Sequence, residues 1–195
     1  MPPLEESWRH FTGWLAREAP ASHECLNPPA SARDLASAEA ANGAPFPEDL
    51  RDLLSLNNGS SQFVNGEFRL ASGFLPGGHR LLSAVEVVEH RRMLDDILNG
   101  MDEHMVGWWW HPEWIPFAAH VAADALVIDL RDGPQQGAVG EFMHEGNTIF
   151  DWGPSLAAVI AEVAGSIEAG VPFKYFQPRI AEGRLDWEVI VSPQQ

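Results

Sequence analysis

A chain of 195 residues, 45% of them hydrophobic, is long enough to bury one ordinary core and too apolar to stay disordered. Its 12 lysines and arginines against 28 aspartates and glutamates give a formal charge of −16, which repels phosphate backbones and anionic membranes. Arg91-Arg92 is the only basic pair and Lys174 the only lysine, so direct nucleic-acid binding is excluded and a basic protein is the electrostatically favoured partner.

Cys25 stands alone, which excludes an internal disulfide and a four-thiolate zinc site. The start, Met1-Pro2-Pro3-Leu4-Glu5-Glu6, lacks the basic residues and apolar run of a secretory signal. No run approaches the ~18 apolar residues of a membrane span. The expectation is a soluble cytoplasmic protein.

Leu4, Trp8, Phe11 and Leu15 recur at helical spacing, and Pro20 is expected to stop that first helix. Residues 20–30 read as a loop ending in Asn27-Pro28-Pro29. Ser31 and Asp34 have the spacing of a capping box for a second helix, which Asn42-Gly43 ends. A third helix begins at Pro47, carries Glu48 and Asp49 at the positive end of its dipole and buries Leu50, Leu53, Leu54 and Leu56. Asn57-Asn58-Gly59 closes it. Residues 58–67 read as loop and Phe68–Leu75 as a strand before Pro76-Gly77-Gly78.

Val87, Leu94, Leu98, Met101 and Met105 predict a helix over 84–105, weakened at Gly100. Short apolar runs at Ile115–Ala118, Ala125–Leu130, Ala138–Met143 and Thr148–Phe150, split by Asp132-Gly133-Pro134 and Glu145-Gly146-Asn147, predict an antiparallel meander. Leu156, Val159, Ile160, Val163 and Ile167 form the stripe of a last helix, between Pro154 and Gly170. A hairpin with Glu182-Gly183 at its turn joins Tyr175–Ile180 to Asp186–Val191. Helices first, strands in the middle and a helix after predict an α+β fold.

The chain has no Gly-x-Ser-x-Gly elbow and no glycine-rich phosphate loop. His23 stands two residues from Cys25, a spacing that does not by itself pair imidazole with thiolate, and Glu24 would raise the thiol pKa. The histidines are scattered; His111, His120 and Asp124 are the nearest approach to a metal set. Trp108-Trp109-Trp110-His111-Pro112-Glu113-Trp114 is the most distinctive string. Adjacent side chains point in different directions, so four tryptophans in seven residues do not all enter one core face, and at least one is expected near the surface as a binding anchor. The acids Asp124, Asp129, Asp132, Glu141 and Glu145 fall in or beside the expected sheet, as a general acid/base pair, a solvated face or a patch that recruits a basic protein.

Several strings in order resemble a known group. Leu26-Asn27-Pro28-Pro29-Ala30 precedes a helix with Glu39 and Gly43, followed by Phe46-Pro47-Glu48-Asp49-Leu50, Leu53-Leu54 and Asn58-Gly59. Further on come Phe74-Leu75-Pro76 with Arg80-Leu81-Leu82, then Trp114-Ile115-Pro116-Phe117-Ala118, Asp124, Asp129-Leu130 and Gly137-Ala138-Val139-Gly140. In these the chain resembles a bacterial member of the SUKH superfamily, of the Smi/Knr type that includes fungal cell-wall assembly regulators. The resemblance covers about residues 26–169. Ala123 stands where the group often has glycine. Three stretches are expected: an N-terminal helix and loop at 1–25, a SUKH-like domain at 26–170 and a C-terminal extension at 171–195.

The resemblance implies a single α+β domain that binds protein and supplies no catalytic residues, no cofactor and no metal. Bacterial relatives are typically immunity proteins that neutralise toxins of contact-dependent or polymorphic systems, many of them nucleases. The expected partner is therefore a basic toxin domain, met by an exposed tryptophan among Trp108, Trp109 and Trp110, with Glu113, Asp124 and Glu141 as charged neighbours. A cytoplasmic adaptor or regulator is the alternative, and a metal-dependent hydrolase using the region Trp110–Asp129 the third reading. Exposed aromatic area would serve a homo-oligomer as readily.

Overall fold

A computed structural model describes residues 2–190. Helix α1 (Leu4–Glu18) turns Leu4, Trp8, Phe11 and Leu15 inward, as their spacing requires. Pro20 does end it, but it also starts a single further turn, α2 (Pro20–His23), in the stretch expected to be loop, because proline suits a first helical turn. Helix α3 (Ala32–Asn42) carries the full Ser31–Asp34 capping box and closes at Gly43 in the left-handed conformation.

In α4 (Glu48–Leu56) Pro47 is the cap residue, one place before the first helical position. Asp49 serves a different helix: its carboxylate accepts from the Ala157 N–H at 2.9 Å and so helps cap α6 (Leu156–Ala169), beside Ser155. Asn57 is extended rather than left-handed, and Gly59, at φ +79°, makes the turn.

Three asparagines join the proline-rich string to this turn. Asn57 Nδ2 donates to the Asn27 carbonyl at 2.5 Å, Asn27 Nδ2 to the Asn58 carbonyl at 2.9 Å, and Asn58 Oδ1 accepts from the Ala84 N–H at 2.8 Å. The last bond satisfies a free donor at the start of α5 (Ala84–Leu98), which also has a Ser83–Glu86 capping box. Helix α5 stops at Leu98, short of the expected Met105; Gly100 and a 3-10 turn at Glu103–Met105 follow.

Residues 63–68 form a small hairpin, β1 (Phe63–Val64) and β2 (Glu67–Phe68), where a loop was expected. The expected strand over 68–75 is instead a 3-10 turn at Leu70–Ser72 and an irregular stretch. The main sheet has the order β3-β4-β5-β6-β7, antiparallel throughout: β3 (Arg80–Leu81), β4 (Trp114–Ala119), β5 (Ala125–Asp129), β6 (Val139–Phe142) and β7 (Ile149–Gly153). The expected meander is thus present, with β3 added at its edge. Strands β8 (Phe176–Ala181) and β9 (Arg184–Val189) pair as the tail hairpin, while Val191 lies outside the described residues.

Alternation along the strands sends side chains to two different cores. Ile115, Leu126, Ile128, Val139 and Trp152 join α1, α3, α4, α6 and the tail hairpin in the larger one. Trp114, Ala125, Val127 and Phe142 face the other way and meet Leu94 and Leu98 of α5. The chain is a single α+β domain.

Candidate functional site

The second core is where the tryptophan string goes. Trp109, Trp110 and Trp114 are all buried there. Phe142 receives Trp109 and Trp110 edge-on at 5.0 and 5.5 Å, and Trp110 meets Trp114 at 5.8 Å and 90°, arrangements that the ring quadrupoles favour. Buried indole N–H groups need acceptors. Trp110 donates to Asp95 Oδ1 at 2.7 Å and Trp109 to the His144 carbonyl at 2.8 Å. Trp114 lies under the guanidinium of Arg131, 5.2 Å from its ring, and Arg131 in turn grips the buried Asp129 with two nitrogens.

Trp108 is the one that stays out, half exposed at 50%. Its backbone is nevertheless fixed on both sides. The Trp108 N–H donates to the Met105 carbonyl at 3.3 Å, its carbonyl accepts from the Thr148 N–H at 3.2 Å, and the Thr148 hydroxyl donates to the Trp109 carbonyl at 2.9 Å. Gly107, at φ +78°, makes the turn that lets its N–H reach the Trp110 carbonyl at 2.8 Å.

The three acids are dispersed. Glu113 projects into solvent before β4, with its side chain 61% exposed. Asp124 sits at the opposite end of the sheet and is engaged with His144, whose backbone N–H and ring Nδ1 approach the same oxygen at 3.0 and 2.8 Å. Burial works to raise the Asp124 pKa, but the His144 contacts outweigh it and hold the carboxyl below its ordinary value. His144 is correspondingly raised by that bond. Glu141 points to the sheet face opposite the tryptophans, where burial pushes its pKa up, and its Oε1 lies 3.7 Å from His79 Nε2. Trp108, Trp109 and Asp124 therefore share a neighbourhood through the 143–148 loop, while Glu113 and Glu141 stand apart from it.

His111 and His120 bracket β4 at its two ends, about 20 Å of strand apart, so with Asp124 they form no metal set. No group of three or more His, Cys, Asp or Glu among the described residues is placed to hold a metal ion. Cys25 is buried, its thiol donates to the Ala21 carbonyl, and burial pushes its pKa up. No helix among the described residues is long and apolar enough to cross a membrane.

Charge organises what remains exposed. From residue 93 to residue 130 the chain has no lysine or arginine. Of its acids Asp96, Asp102, Glu103 and Glu113 are exposed, whereas Asp129 is buried against Arg131, and Asp95 and Asp124 are half-buried against Trp110 and His144. The exposed apolar side chains Met93, Ile97, Met101, Val106 and Trp108 lie in the first part of that stretch. Ile149, also exposed, follows the Thr148 that holds Trp108. The acid side of this surface is readable in the sequence; which tryptophan it presents depends on how the 98–110 segment folds back on Thr148. The model of the SMI1 / KNR4 family (SUKH-1) matches residues 29–162, more than half of the chain. A comparison with curated proteins gives no match.

Proposed function

The chain belongs to the SMI1 / KNR4 family (SUKH-1), and from that premise we propose that it is a non-enzymatic, cytoplasmic protein-binding module of the immunity type, which neutralises a toxin domain by occluding it. The observation that supports the reading is the segment 93–108, where the exposed acids Asp96, Asp102 and Glu103 stand among the exposed apolar side chains Met93, Ile97, Met101, Val106 and Trp108, with no lysine or arginine in the segment. A nuclease-type toxin gathers positive charge where phosphate binds, and an anionic inhibitor approaches that field fast and excludes wrong partners. An apolar centre within a charged surround is also how stable protein interfaces are built.

The test is direct binding between the purified chain and the toxin domain encoded beside its gene. The expected result is a one-to-one complex that blocks toxin activity and whose association slows about tenfold or more between low and high salt. A salt-insensitive encounter, no complex with that domain, or turnover of a substrate by the isolated chain would overturn the proposal.

A further inference from the structure

We infer that Trp108 is the single anchor of this acidic surface and that the partner receives its indole in an apolar pocket rimmed by lysine or arginine. The inference rests on the binding-module reading above and adds the residue and the partner's chemistry.

The argument begins with the mount. A half-exposed indole on a loose loop would lose much of its binding energy to ordering. Here the ordering is already done. The carbonyls of Trp108 and Trp109 are both held by Thr148, the Trp108 N–H is held by Met105, and the two following tryptophans are locked into the core by their rings and indole hydrogens. Trp108 supplies the largest apolar area of any side chain on this surface for two side-chain rotations. Large, rigidly held aromatics in that setting are the residues that dominate interfaces.

The surroundings decide the partner. Asp102 and Glu103 precede the mount, and Glu145, 88% exposed, lies in the loop that Asp124 and Thr148 tie to it. A cation on the partner is favoured by these three carboxylates and by the exposed face of the ring. The other exposed aromatic pair lacks such a surround. Phe63 and Phe68 pack edge-on at 5.7 Å on the β1–β2 hairpin, beside a hollow whose Arg69, Arg80 and Arg184 are each paired with a carboxylate, so it offers a basic partner no free acidic rim.

Two measurements test this on the full-length chain. Without any partner, Trp108→Phe should remove the tryptophan emission that caesium quenches, and iodide should quench that component much less, because the indole stands in a negative field. With the catalytically inactivated toxin domain encoded beside the gene, Trp108→Ala should weaken binding at least about 30-fold, mainly through faster dissociation. The triple change Asp102→Asn, Glu103→Gln, Glu145→Gln should instead slow association about tenfold at low salt. An unchanged melting profile and near-ultraviolet dichroism confirm that the variants fold. If the wild-type chain binds that domain and Trp108→Ala binds within threefold of it, or iodide quenches Trp108 as well as caesium, the anchor assignment is overturned while the binding-module reading stands. If the wild-type chain does not bind, both fall.

Discussion

Ala123 occupies a left-handed backbone conformation, φ +71°, at the turn between β4 and β5, where its N–H donates to the His120 carbonyl. An L-residue with a Cβ pays steric strain there that glycine avoids, which gives a physical sense to the glycine common at this position in sequences that the chain resembles. Ala123→Gly is therefore expected to raise stability by about 0.5–1 kcal/mol, the strain relieved less the extra freedom that glycine has when unfolded. Urea denaturation measures it, and a loss of stability would show that the turn prefers alanine. His79 makes a second residue-scale case. It is 1% exposed, its Nδ1–H donates to the Pro76 carbonyl at 2.9 Å, and its Nε2 has no hydrogen-bond partner. Burial pushes its pKa down to about 4. The unfolded side chain takes a proton near its ordinary 6.5, so acid favours the unfolded state as pH falls from about 6.5 to about 4, with a loss on the order of 3 kcal/mol. Glu141, whose folded pKa is raised, works in the opposite sense just above its own ordinary value, because its folded form takes up the proton first. Denaturation at pH 7 and pH 5 should show the fall in the wild type and a smaller one in His79→Leu; equal slopes would remove His79 as the source.

At the level of elements, what was legible was whatever local chemistry fixes. The Ser31–Asp34 box and the Gly43 cap of α3 are written in adjacent residues and stand where the spacing put them. So do the meander strands, whose turns after β5 and β6 carry Gly133, Gly137 and Gly146. The spacing overextends α5, because Met101 and Met105 keep helical periodicity after the helix has ended at Leu98. The β1–β2 hairpin has Asn65-Gly66 at its turn, with φ of +52° and +82°, the pairing that a two-residue hairpin turn demands. Strands of two residues show no alternation, so periodicity does not reveal it. The asparagine junction was out of reach for a different reason: Asn27, Asn57 and Asn58 meet only when two distant turns come together. There Gly59 leaves no choice, since a Cβ on it would lie 2.4 Å from the Ser83 backbone nitrogen that opens α5. The site divides likewise. That one tryptophan must stay out follows from geometry along the chain; that it is Trp108 follows from Thr148, forty residues on.

For the molecule as a whole, the family match at 29–162 and the folding unit have different extents. Helix α1 lies outside the match, yet Leu4, Trp8, Phe11 and Leu15 share one core with Val159, Ile160, Val163 and Ile167 of α6. The tail hairpin also lies outside it, and it closes over the same core through Phe176, Leu185 and Trp187, with the Trp187 indole donating to the Phe74 carbonyl at 2.8 Å. The two ends clasp each other as well: the Ala21 N–H donates to the Gly183 carbonyl at 2.9 Å and the Leu185 N–H to the Ser22 hydroxyl at 3.0 Å. Each large side chain so buried is worth about 1.5–3 kcal/mol, and seven of them together are comparable to the roughly 5–15 kcal/mol by which a domain of this kind is stable. A fragment of residues 26–170 is therefore expected not to fold, although it contains the whole family match. The measurement is urea denaturation with near-ultraviolet dichroism, fragment beside full chain. The full chain should give one cooperative transition and the fragment none; a cooperative transition in the fragment would make the two ends accessories to the core rather than part of it. Binding should follow folding, because the Trp108 platform hangs on β4, β5 and β6, whose other face is the core that α1 and the tail complete.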